Sequence, residues 1–236
     1  MEPVYPSRTA TSAAVNISRF MTRVYGWMTF GLLITSVISY VVGSDAGLMQ
    51  TLMMNRGIFM FMMLLQFGLV IGLSAGINKM SVGVATGCFL LFSFVTGITF
   101  STLFLSYSIT TLGNVFAITA GSFAGLATFG YVTKKDLTGV GTFMIMGLWG
   151  VIIASIVNFF VHSSALDYAL SVISVVIFAG LTAYDTQKIK NFAGMSDSES
   201  DASHKIAILG ALTLYLDFIN LFLALLRVFG GDRRRS

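Results

Sequence analysis

Two carboxylates stand where an oily helix should carry none. Asp185 lies in "GLTAYDTQKIK" (Gly180–Lys190) and Asp217 in "LTLYLDFINLFLALLRVFGG" (Leu212–Gly231). The other eight acids have cheap places. Glu2, Asp232 and the Asp197, Glu199, Asp201 group fall in tails or a polar loop, Asp45 and Asp136 fall in loops, and Asp167 sits near a span end. An ionised Asp at the centre of a spanning helix costs about 2.5–3.5 kcal/mol on insertion scales. Helix propensity offsets none of this, and no Lys or Arg accompanies the two acids at depth. Such groups face the interior of a bundle and pair with one another or with water.

The neighbours of these acids suggest how they meet. Thr213, Asp217, Asn220 and Ala224 recur at spacings of three and four, which places them on one helix face. Leu181, Asp185 and Lys188 share a face of the preceding segment. Two close carboxylates in a low dielectric do not both carry charge, and they titrate as a unit. Sharing a proton, they draw two helices together. Ionised, they repel, hydrate and offer oxygens to a hard cation such as Ca²⁺. The plainer alternative is a neutral pair that only fixes helix register, which an amide would do at lower cost. Depth raises a difficulty. Asp217 lies about twelve residues beyond Lys205, ~18 Å along a helix, while Asp185 is close to the polar loop. They are level only if the last helix begins well outside the hydrocarbon.

The elements that position the pair follow from composition. The chain has 236 residues, is 56% hydrophobic and only 10% charged, and has a mean hydropathy of +0.85. A soluble domain carries roughly 25% charged residues, so most of this chain is solvated by lipid. Spanning helices need about 20 apolar residues. Seven segments qualify, at 24–43, 57–76, 82–106, 112–132, 139–161, 165–187 and 206–228. The expected fold is an all-α, seven-transmembrane helix bundle. A polar tail (1–23) precedes one membrane domain (24–230), and a short basic tail (231–236) follows. The N-terminal stretch lacks the apolar core of a signal peptide, so the first segment is expected to act as an uncleaved anchor.

Placing the N-terminus in the cytoplasm puts Arg8, Arg19, Arg23, Lys79, Lys134, Lys135, Lys188, Lys190 and Lys205 inside, and leaves only Arg56 in the outer loops. Nine against one fits the positive-inside rule. Arg227 and Arg233–Arg235 then fall on the outer side, against that rule, unless the last segment does not fully cross. The net charge of +4 is read as this orientation and not as a nucleic-acid surface. Cys88 is alone, so no disulfide within the chain is possible, and two histidines, His162 and His204, cannot supply several haem centres. No resident cofactor is expected. Small residues let spanning helices approach closely. Gly68, Gly72 and Gly76 form one such row, and Gly83 with Gly87 and Gly121 with Gly125 repeat it. Packing within the bundle is the simpler reading of these rows, and a sliding or dimer face the other. Gln66, mid-span, is either part of a polar site or bonded to a neighbouring helix.

The two acid-bearing stretches resemble the paired signatures of the Bax inhibitor-1 family, the transmembrane Bax-inhibitor-motif proteins. "VYGWMTFGLLIT" near the start and "YVTKKDLTGVG" after the fourth span are similar to its bacterial inner-membrane branch. The resemblance runs from about Arg19 to Gly230. It implies seven helices with the last surrounded by the other six. It also implies a pH-sensitive Ca²⁺ leak of the inner membrane, with Asp185 and Asp217 as the pH sensor and cation site; Asn220, Thr213, Lys188 and Gln66 are the supporting polar candidates read from the helix faces themselves. Some relatives carry an arginine near the end of the second span that pairs with the first aspartate. Here "SAGINKM" offers only Lys79.

Two other functions fit parts of the pattern. Intramembrane aspartyl proteases place "YD" on one span and "GxGD" on the next. Tyr184–Asp185 matches the first half, whereas Leu214 and Leu216 replace both glycines of the second, and both prolines, Pro3 and Pro6, are in the tail. No catalytic residue is therefore assigned. A non-conducting regulator of a membrane protease or stress response would use the charged loop 188–205 and the glycine rows. A secondary transporter would require an inverted repeat or paired broken helices, and none is evident.

Overall fold

The computed structural model describes residues 8–193 and 200–230, with side chains from Val15 onward. Its elements, in order, are α1 (Arg8–Ser44), α2 (Ala46–Met54), α3 (Arg56–Gly76), a 3₁₀ turn (Ile77–Lys79), α4 (Val82–Phe100), α5 (Leu103–Ser106), α6 (Ile109–Val132), α7 (Thr138–Val161), α8 (Ser164–Ala193) and α9 (Asp201–Phe229). No strand occurs among the described residues. Seven of these helices are long and apolar enough to cross a membrane: α1, α3, α4 with its extension to Ser106, α6, α7, α8 and α9. In lipid every backbone polar group must be satisfied internally, and the helix does this within one segment.

Short polar residues mark where the chain turns. Ser81, Ser108 and Ser200 cap α4, α6 and α9, each accepting from the backbone N–H three residues on. Asp45 caps α2 through Gly47 N and Leu48 N. The α7–α8 turn closes on Asn158, which accepts from Ser163 N and donates to Asp167 Oδ1 at 3.1 Å. His162 ends α7 in the left-handed region, at φ 55°.

The helices differ from the expected spans at their ends. α1 already runs from Arg8, and Phe20 and Met21 are buried, so the packed unit reaches back beyond residue 24. α8 continues to Ala193 and α9 begins at Asp201, so most of the polar stretch 188–205 is helical. The short helix α2 fills a connection with no spanning signal. The expected tails at 1–7 and 231–236, and loop residues 194–199, lie outside the described residues.

Crossing seven times puts the starts of α1, α4, α7 and α9 on one face with the ends of α3, α6 and α8. Among the residues with described side chains this face carries Arg19, Arg23, Lys79, Lys134, Lys135, Lys188, Lys190 and Lys205, and it is called the basic face below. α9 is the most buried span, with two-thirds of its apolar window enclosed (67%, against 39% or less for any other). It packs against α1, α3, α4, α6 and α8.

Glycine sets some of the closest approaches, but not the expected glycines. Gly97 of α4 lies against Thr35 O and Ile38 of α1, and Gly31 of α1 lies under Phe89 and Ser93. Gly130 of α6 meets the backbone of Ala183, and Gly141 of α7 meets the ring of Tyr184, both on α8. At Gly68, Gly72, Gly83, Gly87, Gly121 and Gly125 an added Cβ would meet nothing within 4 Å. Those rows therefore do not pack within the bundle, contrary to the simpler expectation. A spacing of four identifies a helix face without saying which way it points.

Candidate functional site: two aspartates between α8 and α9

α8 and α9 are antiparallel neighbours in extensive contact. Ile189 lies opposite Gly210, at 3.2 Å from where a Cβ would stand. Counting back from this pair, Asp185 is level with residue 214, about three residues or ~4–5 Å along the axis from Asp217. The depth difficulty is thus resolved by the helix ends. α9 begins at Asp201, four residues before Lys205, and α8 runs on to Ala193, so the two helices overlap beyond the apolar windows.

Asp217 is buried, and its Oδ2 has no hydrogen-bond partner. Asp185 is half-buried. The two carboxyls lie within reach of one another's charge. The cation acting on Asp185 is Lys188, one turn along the same helix. Lys188 is exposed, and its ammonium stands 5.8 Å from the centre of the Tyr184 ring. Lys79 is exposed in the 3₁₀ turn, where Lys205 of α9 donates to Met80 O at 3.2 Å.

The supporting residues divide. Thr213 donates to Leu209 O and Asn220 to Leu216 O, each back-bonding within α9. Gln66 donates to Thr99 Oγ1 and ties α3 to α4, which matches the neighbouring-helix alternative. Thr186, adjacent to Asp185, emerges as a further polar group. It is fully buried and its Oγ1 has no hydrogen-bond partner. The Tyr25 hydroxyl of α1 lies close to it without satisfying it. Unpaired buried oxygens are expensive, and two of them occur here, on the two acid-bearing helices. The sequence holds a faint sign of Thr186 in the Thr182, Thr186 spacing, but nothing in it separates an orphaned hydroxyl from one back-bonded as Thr182 is, to Phe178 O.

The frame around the pair is stiff. Gln187 accepts from Leu137 N at 2.8 Å and donates to Lys135 O at 2.8 Å, fastening α8 to the α6–α7 turn. Tyr215, two residues before Asp217, is fully buried with its ring edge-on to Phe89 and Phe92. Its hydroxyl sits 2.6 Å from Thr35 Oγ1, which donates to Ser93 O at 2.8 Å. That relay joins α9, α1 and α4. Among the described residues no three His, Cys, Asp or Glu side chains converge to hold a metal ion. Ca²⁺ takes 6–8 oxygens, so two carboxylates would leave most of the shell to water and other protein oxygens.

Comparison with known proteins fits this architecture. The family model described as "Inhibitor of apoptosis-promoting Bax1" matches residues 17–234. The inner membrane protein YbhL of Escherichia coli K12 is 46% identical over 218 residues, covering 92% of this chain and 93% of its own. An uncharacterized protein of Borreliella burgdorferi is 46% identical over 219 residues, covering 93% of this chain and 94% of its own. An uncharacterized membrane protein of Streptococcus pyogenes serotype M6 is 32% identical over 224 residues, covering 94% and 96%. With seven apolar spans, an aspartate on each of the last two, and matches of this length, the chain belongs to the Bax inhibitor-1 family as a multi-pass inner-membrane protein.

Proposed function

We propose that this protein is a pH-sensitive cation leak that passes Ca²⁺, gated by a proton shared between Asp185 and Asp217. The observation that carries the reading is the buried Asp217 carboxyl, one oxygen unpartnered, within electrostatic reach of Asp185 on the neighbouring helix. A shared proton leaves one negative charge and one strong hydrogen bond across the α8–α9 contact. Removing it sets two charges against each other in a low dielectric. The pair then parts or admits water, and the hydrated carboxylates can relay a divalent ion. Two carboxylates form a weak, open site, suited to passage rather than storage. The N-terminus is taken as cytoplasmic from the bias of Lys and Arg, which places Asp185 and its partner nearer that side. α9 is taken as the axis around which the other helices move.

The test is Ca²⁺ flux in proteoliposomes across a pH series for wild type, Asp185→Asn and Asp217→Asn. Wild type changes flux with pH, and each Asn variant flattens the response because the coupled pair is gone. Unchanged flux and an unchanged pH profile in both variants would sink the proposal.

A second reading, a non-conducting regulator of a membrane protease, draws support from one observation. The outward glycine rows at Gly68, Gly72, Gly121 and Gly125 are unpacked within the bundle, which leaves room for another spanning helix. A co-purifying membrane protein together with absent cation flux would favour it.

A further inference from the structure

α1 and α6 both pack on α9, yet they do not pack on each other to any extent. Between them lies a crevice of about 980 Å³, walled by Met28 and Leu32 of α1 and Ala120 and Ala124 of α6, and floored by Phe218 of α9. This volume is at the upper end of ligand pockets, ~300–1,000 Å³. Its lining is predominantly apolar. A row of hydroxyls, Ser18, Thr22, Thr29, Ser36 and Ser39, runs along the α1 wall, but the crevice lies between helices whose surroundings are the bilayer, so acyl chains can enter it.

One end of the crevice is chemically distinct. Tyr25 and Tyr131 line it at the basic face. The Lys190 ammonium stands 4.9 Å from the centre of the Tyr131 ring and donates to Tyr131 O at 2.6 Å. Two phenols at the mouth of a mostly apolar slot, with an ammonium against the ring of one of them, match a phosphate above acyl chains. Among the described residues the opposite face carries only Arg56 and Arg227. Basic pockets between spanning helices recognise anionic headgroups in this manner.

We propose that the crevice is a binding site for one anionic phospholipid of the leaflet on the basic face. Its chains lie between α1 and α6 against Phe218, and its phosphate lies by Tyr25, Tyr131 and Lys190. This site borders the aspartate pair through Tyr25, which also lies close to Thr186, but it does not depend on the leak reading. The bound lipid replaces the missing α1–α6 contact and touches the helix that carries Asp217.

Native mass spectrometry of the full chain tests this, after release from nanodiscs of equal phosphatidylglycerol and phosphatidylcholine. Wild type retains one phosphatidylglycerol in preference to phosphatidylcholine. Ala124→Phe, which fills the slot from an exposed position, loses the bound lipid. Gly121→Leu, on the same helix, outside the crevice and with open space around it, keeps it. Lys190→Gln retains lipid but loses headgroup preference about fivefold, the effect of one cation near the membrane surface. Equal retention of both lipids by wild type, retention by Ala124→Phe matching wild type, or a protein found in place of the lipid overturns the proposal.

Discussion

Gly130→Ala tests whether close approach of α6 to α8 holds the aspartate frame. The new methyl would press on the Ala183 carbonyl oxygen, with Ala183 C at 2.9 Å and Cα at 3.0 Å, where ordinary contact begins near 3.4 Å. These are backbone atoms, so no rotamer change relieves the overlap, and the two helices must part by on the order of 1 Å. Overpacking of this kind costs about 1–3 kcal/mol. Against it stands a gain of up to ~1 kcal/mol from alanine's helix propensity. Two controls separate these effects. At Gly121 a Cβ meets nothing within 4 Å, so Gly121→Ala takes only the propensity gain. At Gly210 the nearest atom is Ile189 Cγ2 at 3.2 Å, on a side chain that can shift, so Gly210→Ala falls between. The assay is unfolding in detergent micelles, by heat or by graded SDS, on all three variants. Gly130→Ala is expected to be about 1–3 kcal/mol less stable than Gly121→Ala. Because Ala183 is two residues from Asp185, it should also disturb the pH profile of flux. If Gly130→Ala is as stable as Gly121→Ala, the close α6–α8 contact is not a constraint and the reasoning fails.

Tyr215→Phe removes one link of the α9–α1–α4 relay and costs about 0.5–1.5 kcal/mol. Thr35→Val breaks both links and costs more, and a double-mutant cycle measures the coupling. Lys188→Gln removes the cation beside Asp185 and changes the pH profile of flux; a profile identical to that of wild type rejects Lys188 as a tuning residue. Gln66→Leu leaves Thr99 bonded to Val95 O, so stability changes by less than about 1 kcal/mol and the pH profile is unchanged. Asp136 is exposed, and hydrogen bonds from the hydroxyl and backbone N–H of Thr138 hold its carboxyl below the usual 3.8. A depressed folded value stabilises the start of α7 above the unfolded value and is lost as pH falls through the folded one. An NMR titration should therefore place the Asp136 midpoint below 3.8, with amide exchange near Thr138 rising only at more acid pH.

The seven spans were legible because lipid imposes a length and a polarity that soluble folds do not. Their ends were not. α1 before residue 24 and α9 before residue 206 are amphiphilic extensions beyond the oil, where hydropathy gives no sign that a helix continues. That same blindness produced the depth difficulty for Asp185 and Asp217, since their levels depend on where α8 stops and α9 starts. The pair itself could be read because an acid in hydrocarbon has so few inexpensive explanations. Thr186, Tyr25 and Gln187 could not, since a hydroxyl or amide is ordinary in any helix and acquires meaning only from a neighbour far along the chain. The glycine rows failed for a related reason. Gly130 and Gly141, which do set helix distances, have no notable spacing to their neighbours. Gly68 and Gly72, which have one, face outward.

The most enclosed of the seven described spans is also the last of them to leave the ribosome. Six spans must enter the bilayer before the segment that packs on α1, α3, α4, α6 and α8 exists. Until then the early helices hold the contacts of α4 with α1 and α3 and of α8 with α1, α6 and α7, and lack all those to α9. A nascent chain halted near Ala193 would keep those contacts but leave the faces that α9 covers unpacked. Completion of α9 would convert that lax array into a compact body in a single late step.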